Sequence, residues 1–344
     1  MTLLRNCWYM AAWSDEVGPA PLARRLLNEP IVFFRDINGQ VAAFPDRCPH
    51  RFAPLSMGQV VEGGIQCRYH GLRFDRTGRC VYSPYSDQPP ARASLAPIPL
   101  VERDGFIWFW AGNVEAADPA TVPDMAFLFQ TPTTDLVRMH VTQRSSFLLG
   151  IDNLMDPSHV PSLHADSLAP PPDMFRHARY SVIREEGRVT SLWRFPDADG
   201  EFPDHQWLKA TYSPPGTVLT SAGLDMLSGA ALPPGILFYN LHVLTPETAT
   251  SAHYFSADIY DRAKVDPDFA SQRAALLLDQ VFGEEDDPIL AGIEARMAGE
   301  DFFALNPALL PIDGGAVEAR RLHARLSEAE SRTARPAGFD TLNT

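Results

Sequence analysis

From residue 30 to about 110 the chain is built of short apolar runs separated by turn residues. Ile31-Val-Phe-Phe34 and Val41-Ala-Ala-Phe44 flank Asn38-Gly39, a pair that readily takes the positive φ of a two-residue turn, and this predicts a β-hairpin. Asp75-Arg76-Thr77-Gly78 and Asp104-Gly105 mark further turns, the second leading into the strongly apolar strand Phe106-Ile-Trp-Phe-Trp110. The pattern is that of a small antiparallel β domain. Between Ala111 and Asp135 periodicity fades into Ala, Pro, Asp and Thr, with Pro119, Pro123 and Pro132 as breakers, so a linker is expected there. Residues 1–124 are read as the first domain with its linker and 125–344 as the second. The second mixes strands, among them Ser181-Val-Ile183 and His253-Tyr-Phe255, with helices. One helix opens at Asp266-Pro267, an N-cap followed by a first-turn proline, and is expected to bury Phe269, Ala274, Leu277, Leu278 and Val281. A last helix is expected over 317–329.

Composition narrows the function classes. A chain of 344 residues with 45% hydrophobic and 21% charged side chains has ample material for a core, and its length favours two domains. The formal charge of -14 opposes the phosphate neutralisation on which nucleic-acid binding depends. Residues 226–246 lack Asp, Glu, Lys and Arg, but Pro233-Pro234-Gly235, Asn240 and His242 interrupt them, so a loop followed by a buried strand over 236–244 fits better than a membrane span. Residues 1–13 carry no long apolar stretch of the signal-peptide kind, and a cytoplasmic location is expected. The 4 cysteines are too few to staple such a fold and point instead to a reducing compartment with metal binding open to them.

Two of those cysteines belong to a constellation. Cys48-Pro-His50 and Cys67-Arg-Tyr-His70 form two loops, each offering one thiolate and one imidazole. Structural zinc uses the same residue types, but usually with a Cys pair on one knuckle and a His pair on the other. One Cys and one His per loop suits a [2Fe-2S] cluster with thiolates on one iron and imidazoles on the other. Replacing anionic thiolates by neutral imidazoles raises the potential to roughly -150 to +300 mV, so that the cluster accepts electrons from a flavin or ferredoxin donor. Gly58, Gly63, Gly64 and Gly71 surround these ligands. Cys7 and Cys80 have no such partners and are expected to be buried free thiols.

A second constellation runs from Asp152 to His164. Asn153, Asp156 and His159 are spaced to share one helix face, and Pro161, between His159 and His164, would break the helix and turn both imidazoles to one metal. Two histidines and a carboxylate with open positions make the facial triad of non-haem Fe(II). Asp286 is the candidate carboxylate, with Glu285 and Asp287 as rivals.

With both constellations the sequence resembles the Rieske non-haem iron oxygenases over nearly its whole length, and within them the oxygenase components of the vanillate and dicamba O-demethylases. Arg5-Asn-Cys-Trp-Tyr9, Cys48-Pro-His-Arg-Phe-Ala-Pro-Leu55, Asp152-Asn-Leu-Met-Asp156 and His242-Val-Leu-Thr-Pro-Glu-Thr248 carry the closer likeness. Arg68 departs from it, standing where the family usually has Pro. The resemblance implies an α+β chain: a Rieske-type antiparallel β domain, then a helix-grip domain whose antiparallel sheet curves around a long helix and an apolar cavity. It implies a homotrimer in which Asp156 bridges His159 to His70 of a neighbouring subunit, with Asn153 beside it, both serving catalysis. It implies that a separate NAD(P)H-dependent reductase supplies electrons and that O2 is the co-substrate. The expected reaction is O-demethylation of a methoxylated, vanillate-like aromatic acid, releasing formaldehyde. His242, Leu154 and Ile236 are the candidate substrate contacts, although His242 is equally well read as a strand histidine with its hydrogen bonds satisfied. The alternatives are hydroxylation or N-demethylation of another aromatic substrate and, from a different class, a Rieske electron carrier with an inactive second domain.

Overall fold

The structure, a computed structural model, describes residues 3–89, 92–129, 133–223 and 238–333. Three small antiparallel sheets make up the N-terminal part. One is a meander of Leu22–Leu26, Glu29–Arg35 and Val41–Pro45, and its second turn holds Asn38-Gly39, with Gly39 at φ 79°. A second joins Gln59–Val61, Gly64–Gln66, Arg73–Phe74 and Cys80–Tyr82. The third sets Phe106–Trp110 between Leu100–Arg103 and Trp8–Trp13. The last of these strands precedes the region where the apolar pattern predicts strands. All six of its residues are buried, so no alternation marks it.

The C-terminal part is a single seven-stranded antiparallel sheet. Its order is Thr134–Gln143, Ala252–Asp261, Phe238–Pro246, Thr217–Ala222, Trp207–Ser213, Arg188–Arg194, Arg179–Glu185. The last six strands in sequence therefore form a meander, and its final strand, Ala252–Asp261, also pairs with Thr134–Gln143 at the sheet's edge. Alternation assigns the two faces. Leu241, Val243, Phe255, Ala257 and Ile259 pack on Trp8, Met10, Trp13, Phe106 and Trp108 of the N-terminal part. Leu244, Ala252 and Tyr254 pack on the opposite side with Phe147, Ile151, Phe282, Ala319 and Leu322. Each fully buried large side chain of this kind contributes about 1.5–3 kcal/mol, so both faces of the central strands are heavily committed. Trp13 Nε1 donates to the Met139 carbonyl (3.0 Å) and Thr245 Oγ1 to that of Met10 (2.7 Å), tying the two parts across the junction.

The helix Phe147–Met155 crosses the inner face at Gly150, where a β-carbon would lie 2.4 Å from both Gln143 Oε1 and Leu244 Cδ2; glycine is what allows that approach. The long helix Gly314–Thr333 extends past both expected ends and packs beside it. Between them Arg320 Nε bonds both carboxylate oxygens of Asp152, at 2.9 and 2.7 Å. Burial pushes the Asp152 carboxyl up while Arg320 holds it down. Arg320→Ala should therefore cost about 3–5 kcal/mol, the range for stranding one half of a buried pair. Urea titration of the two proteins would measure it, and a loss below 1 kcal/mol (the range of exposed pairs) would remove the pair from the account.

The helix opened by Asp266 does begin there, the carboxylate accepting from the amides of Asp268 and Phe269. Of its expected stripe Ala274 and Val281 are buried and Leu277 and Leu278 half-buried, but Phe269 is 49% exposed and Ala270 is buried instead. From Leu276 to Asp286 the chain winds as a π-helix, so an α-helical period does not map its faces. Among the described residues no helix is long and apolar enough to cross a membrane.

Candidate active site

The two loops of the first constellation have the same backbone. Cys48 N–H donates to the Ala53 carbonyl and Phe52 N–H to that of Cys48; Cys67 N–H donates to the Leu72 carbonyl and Gly71 N–H to that of Cys67. In both loops the residue four beyond the cysteine has positive φ, Phe52 at 60° and Gly71 at 74°. Glycine adopts that conformation without strain, whereas Phe52 is held in it by the loop. The result is a two-and-two arrangement. The thiols of Cys48 and Cys67 are buried and close enough to hydrogen-bond. The rings of His50 and His70 meet at the rim, 4.5 Å between centroids. Burial pushes the Cys48 thiol up to about 11, so in the bare chain it keeps its proton at neutral pH and gives it up only to a metal. A donor set with paired thiolates inside and paired imidazoles outside fits the [2Fe-2S] cluster. Cys7 and Cys80 are half-buried rather than buried.

The second constellation is not one helix face. The helix ends at Met155, a short 3-10 turn spans Pro157–His159, and another helical turn spans Val160–Leu163. The break falls at Asp156-Pro157 and not at Pro161, because the residue before a proline is driven out of the α region; Asp156 has φ -127° and ψ 89°. Its carboxylate caps the following turn through Ser158 N–H (3.0 Å). Pro161 sits harmlessly in the first turn of the next helical segment.

His159, at the end of the 3-10 turn, and His164, at the C-cap of the helical turn Val160–Leu163, lie together, 5.2 Å between ring centroids. His159 Nδ1 donates to the Asp156 carbonyl (2.6 Å) and His164 Nδ1 to Glu285 Oε2 (2.6 Å). Both partners only accept, so each Nδ1 carries the proton and each Nε2 offers a lone pair. Those Nε2 atoms converge on Asp286 Oδ1, at 3.6 and 3.3 Å, and Asn153 Nδ2 donates to the same oxygen (2.9 Å). Burial disfavours a charged His164, but the carboxylates of Asp286 and Glu285 outweigh it and raise its pKa. Among the described residues, His159, His164 and Asp286 form the one group of three such side chains whose ligand atoms all lie within 4.8 Å of one another. The three consecutive acids thus have three distinct placements: Glu285 orients His164, Asp286 faces both imidazoles, and Asp287 binds the amide and Nε of Arg144 (2.8 and 2.6 Å). Glu285→Ala should lower iron affinity about 10–100-fold, with Glu285→Gln retaining more of it. Iron retained against a chelator would measure this; unchanged retention in the Ala variant would deny Glu285 its orienting role.

A cavity of about 210 Å³ opens on this group, more than the ~150 Å³ that admits a benzene ring. Asn153, Leu154 and His242 all line it. His242 faces the cavity, and its Nδ1 and Nε2 are engaged by Tyr254 Oη (2.7 Å) and Thr220 Oγ1 (3.2 Å). Burial holds its pKa down to about 3, so it is neutral at physiological pH. Ile236 lies outside the described residues. Sequence reasoning missed the cavity's Asn240, Tyr254, Ser256 and Arg273; the signal for the strand residues was the alternation of 240, 242, 244 and 254, 256, 258 onto one face.

Comparison with known proteins matches residues 7–99 to the Rieske [2Fe-2S] domain and 144–329 to the vanillate O-demethylase oxygenase C-terminal domain. The chain is 35% identical to the oxygenase component of chloroacetanilide N-alkylformylase of Rhizorhabdus wittichii (strain DC-6 / KACC 16600), over 96% of this chain and 97% of that one. It is 33% identical to the oxygenase component of dicamba O-demethylase of Stenotrophomonas maltophilia, over 96% and 100%. The crystal structure of dicamba monooxygenase with non-heme iron and dicamba superposes with a TM-score of 0.78 at 30% identity, covering 97% of this chain and all of that one.

Proposed function

Because the chain belongs to the Rieske non-haem iron oxygenases, as an oxygenase component served by a separate reductase, we propose that it O-demethylates a small methoxylated aromatic compound with release of formaldehyde. The observation that carries this reading is the His159–His164–Asp286 group opening on a cavity of aromatic size. A bare electron carrier would have no use for either. When bound, the [2Fe-2S] cluster supplies single electrons and the mononuclear iron activates dioxygen. Cys48, His50, Cys67 and His70 hold the first, and His159, His164 and Asp286 the second. The two parts divide at residue 124, within the run of short turns between the sheets.

The chain's own residues do the rest. Glu285 and the Asp156 carbonyl fix the imidazole tautomers, and Asn153 orients Asp286. Leu154, Leu244, Leu277 and Phe282 form apolar wall that excludes water from the substrate. His242, held by Tyr254 and Thr220, offers the substrate a fixed neutral face. The working assembly is a homotrimer, in which Asp156 links His159 by hydrogen bonds to His70 of the partner subunit, and the electron donor for the reductase is NAD(P)H. Supporting this, Phe52, Met57 and Tyr69 stand exposed near the cluster loops, an apolar rim that a neighbouring surface would cover.

A second reading, N-dealkylation of an aromatic amide, is favoured by the relative named as a chloroacetanilide N-alkylformylase. Turnover of parallel panels of methoxyarenes and N-alkyl anilides with a surrogate reductase separates them. Formaldehyde from the methoxyarenes is expected; aldehyde from the anilides alone would replace the first reading by the second.

A further inference from the structure

The two imidazoles of the mononuclear site are steered by unlike partners. His159 Nδ1 donates to the Asp156 carbonyl (2.6 Å), a backbone group that the chain itself holds in place. His164 Nδ1 donates to Glu285 Oε2 (2.6 Å), the far end of a flexible side chain that loses rotamer freedom when it is fixed. The Glu285 side chain is 18% exposed, so water competes for its carboxylate. A glutamate can orient a neighbouring ring only if it is itself held.

Ser167 supplies that hold. The chain turns once after His164, with Leu168 N–H donating to the His164 carbonyl (3.0 Å), and the three-residue spacing brings the Ser167 hydroxyl to the same carboxylate oxygen as the ring. Ser167 Oγ donates to Glu285 Oε2 (2.7 Å). The carboxylate only accepts, so the single hydroxyl proton is committed to it. Leu168 is buried with Val160 and Val281, which fixes this turn against the π-wound segment Leu276–Asp286 that carries Glu285. Among the described residues, Glu285 accepts from two side chains, both at Oε2. One is the ring being steered, and Ser167 is the other. We infer that Ser167 is a positioning residue for the mononuclear iron: by anchoring Glu285 it fixes the His164 ring, and with it the direction of the Nε2 lone pair. The role rests on the reading of His159, His164 and Asp286 as the iron ligands and adds to it a residue that touches neither the metal nor the cavity.

The test equilibrates the full-length protein, cluster in place, with graded free Fe(II) set by a competing chelator. Mononuclear iron is counted as iron beyond that of the cluster, whose visible absorbance reports an intact fold. Ser167→Ala is expected to bind Fe(II) about tenfold more weakly, the worth of about one hydrogen bond to a charged group. Ser167→Thr keeps the hydroxyl and is expected to restore most of that affinity. In a Glu285→Ala background the same Ser167→Ala change is expected to cost nothing further, because its partner is gone. Native affinity in Ser167→Ala overturns the inference. Equal losses from Ser167→Ala in both backgrounds also overturn it, since they assign the serine to the turn alone and leave the ligands as they are. A native protein that takes up no iron beyond its cluster overturns the ligand set, and the inference with it.

Discussion

Asp286→Ala should strip the mononuclear iron from the protein while the cluster's visible spectrum stays intact, and formaldehyde formation should fall by more than about 100-fold, beyond the loss typical of an orienting residue. Among the described residues, Asp286 supplies the one carboxylate toward which both His159 Nε2 and His164 Nε2 turn. Removing it leaves two neutral imidazoles, which is too little charge and too few donors to retain Fe(II). The fold should survive, since the change relieves a burial of charge. Asp287→Ala is the control: it frees Arg144 and loosens the packing there, yet should leave iron in place. Iron analysis beside the cluster absorbance decides it, and an Asp286→Ala protein that kept its third iron would move the ligand elsewhere.

Asp156→Asn should slow turnover by more than about tenfold, the worth of one charge-assisted hydrogen bond of about 1.5–3 kcal/mol. The substitution is clean because asparagine keeps an oxygen to accept from Ser158 N–H and preserve the cap. Its second position becomes an NH2 donor, which cannot accept from an imidazole N–H. Iron content and both spectra should be unchanged, and stopped-flow reoxidation of the reduced cluster should slow with turnover. Normal reoxidation would take Asp156 out of the connection between the two centres.

How far these sites could be read from the chain depended on whether their parts are local. Cys48-Pro-His50 and Cys67-Arg-Tyr-His70 are complete within their loops, and the matching backbone bonds of those loops add support without changing the assignment. His159 and His164 are legible as a pair, but Pro161 is no break between them: the helix ends before both, at Asp156-Pro157, where the residue ahead of the proline held the signal. Three consecutive acids cannot be told apart by composition. What separates Glu285, Asp286 and Asp287 is the direction each takes at the end of a π-wound segment, and that is set by packing against Val160 and Leu168. Phe269 lies ahead of that segment, in the α-helix Pro267–Ala275, and is exposed because that helix buries the side of Ala270 and Ala274. Trp8–Trp13 escaped because a strand covered on both faces has no period. The cavity's Asn240 and Arg273 are brought there by a strand register and a helix from elsewhere; the one local hint is Asp258, an aspartate inside the buried run of Ala252–Asp261 that bonds both side chains.

The central claim is that one chain holds two separate iron centres, one in each part. Iron and acid-labile sulfide, measured together on the native protein and on the His159→Ala, His164→Ala double variant, test it most directly. The expected result is about three irons and two sulfides per chain in the native protein, and about two irons and two sulfides in the variant. Two irons in both proteins would contradict it, leaving a Rieske protein with no iron of its own at which to activate oxygen.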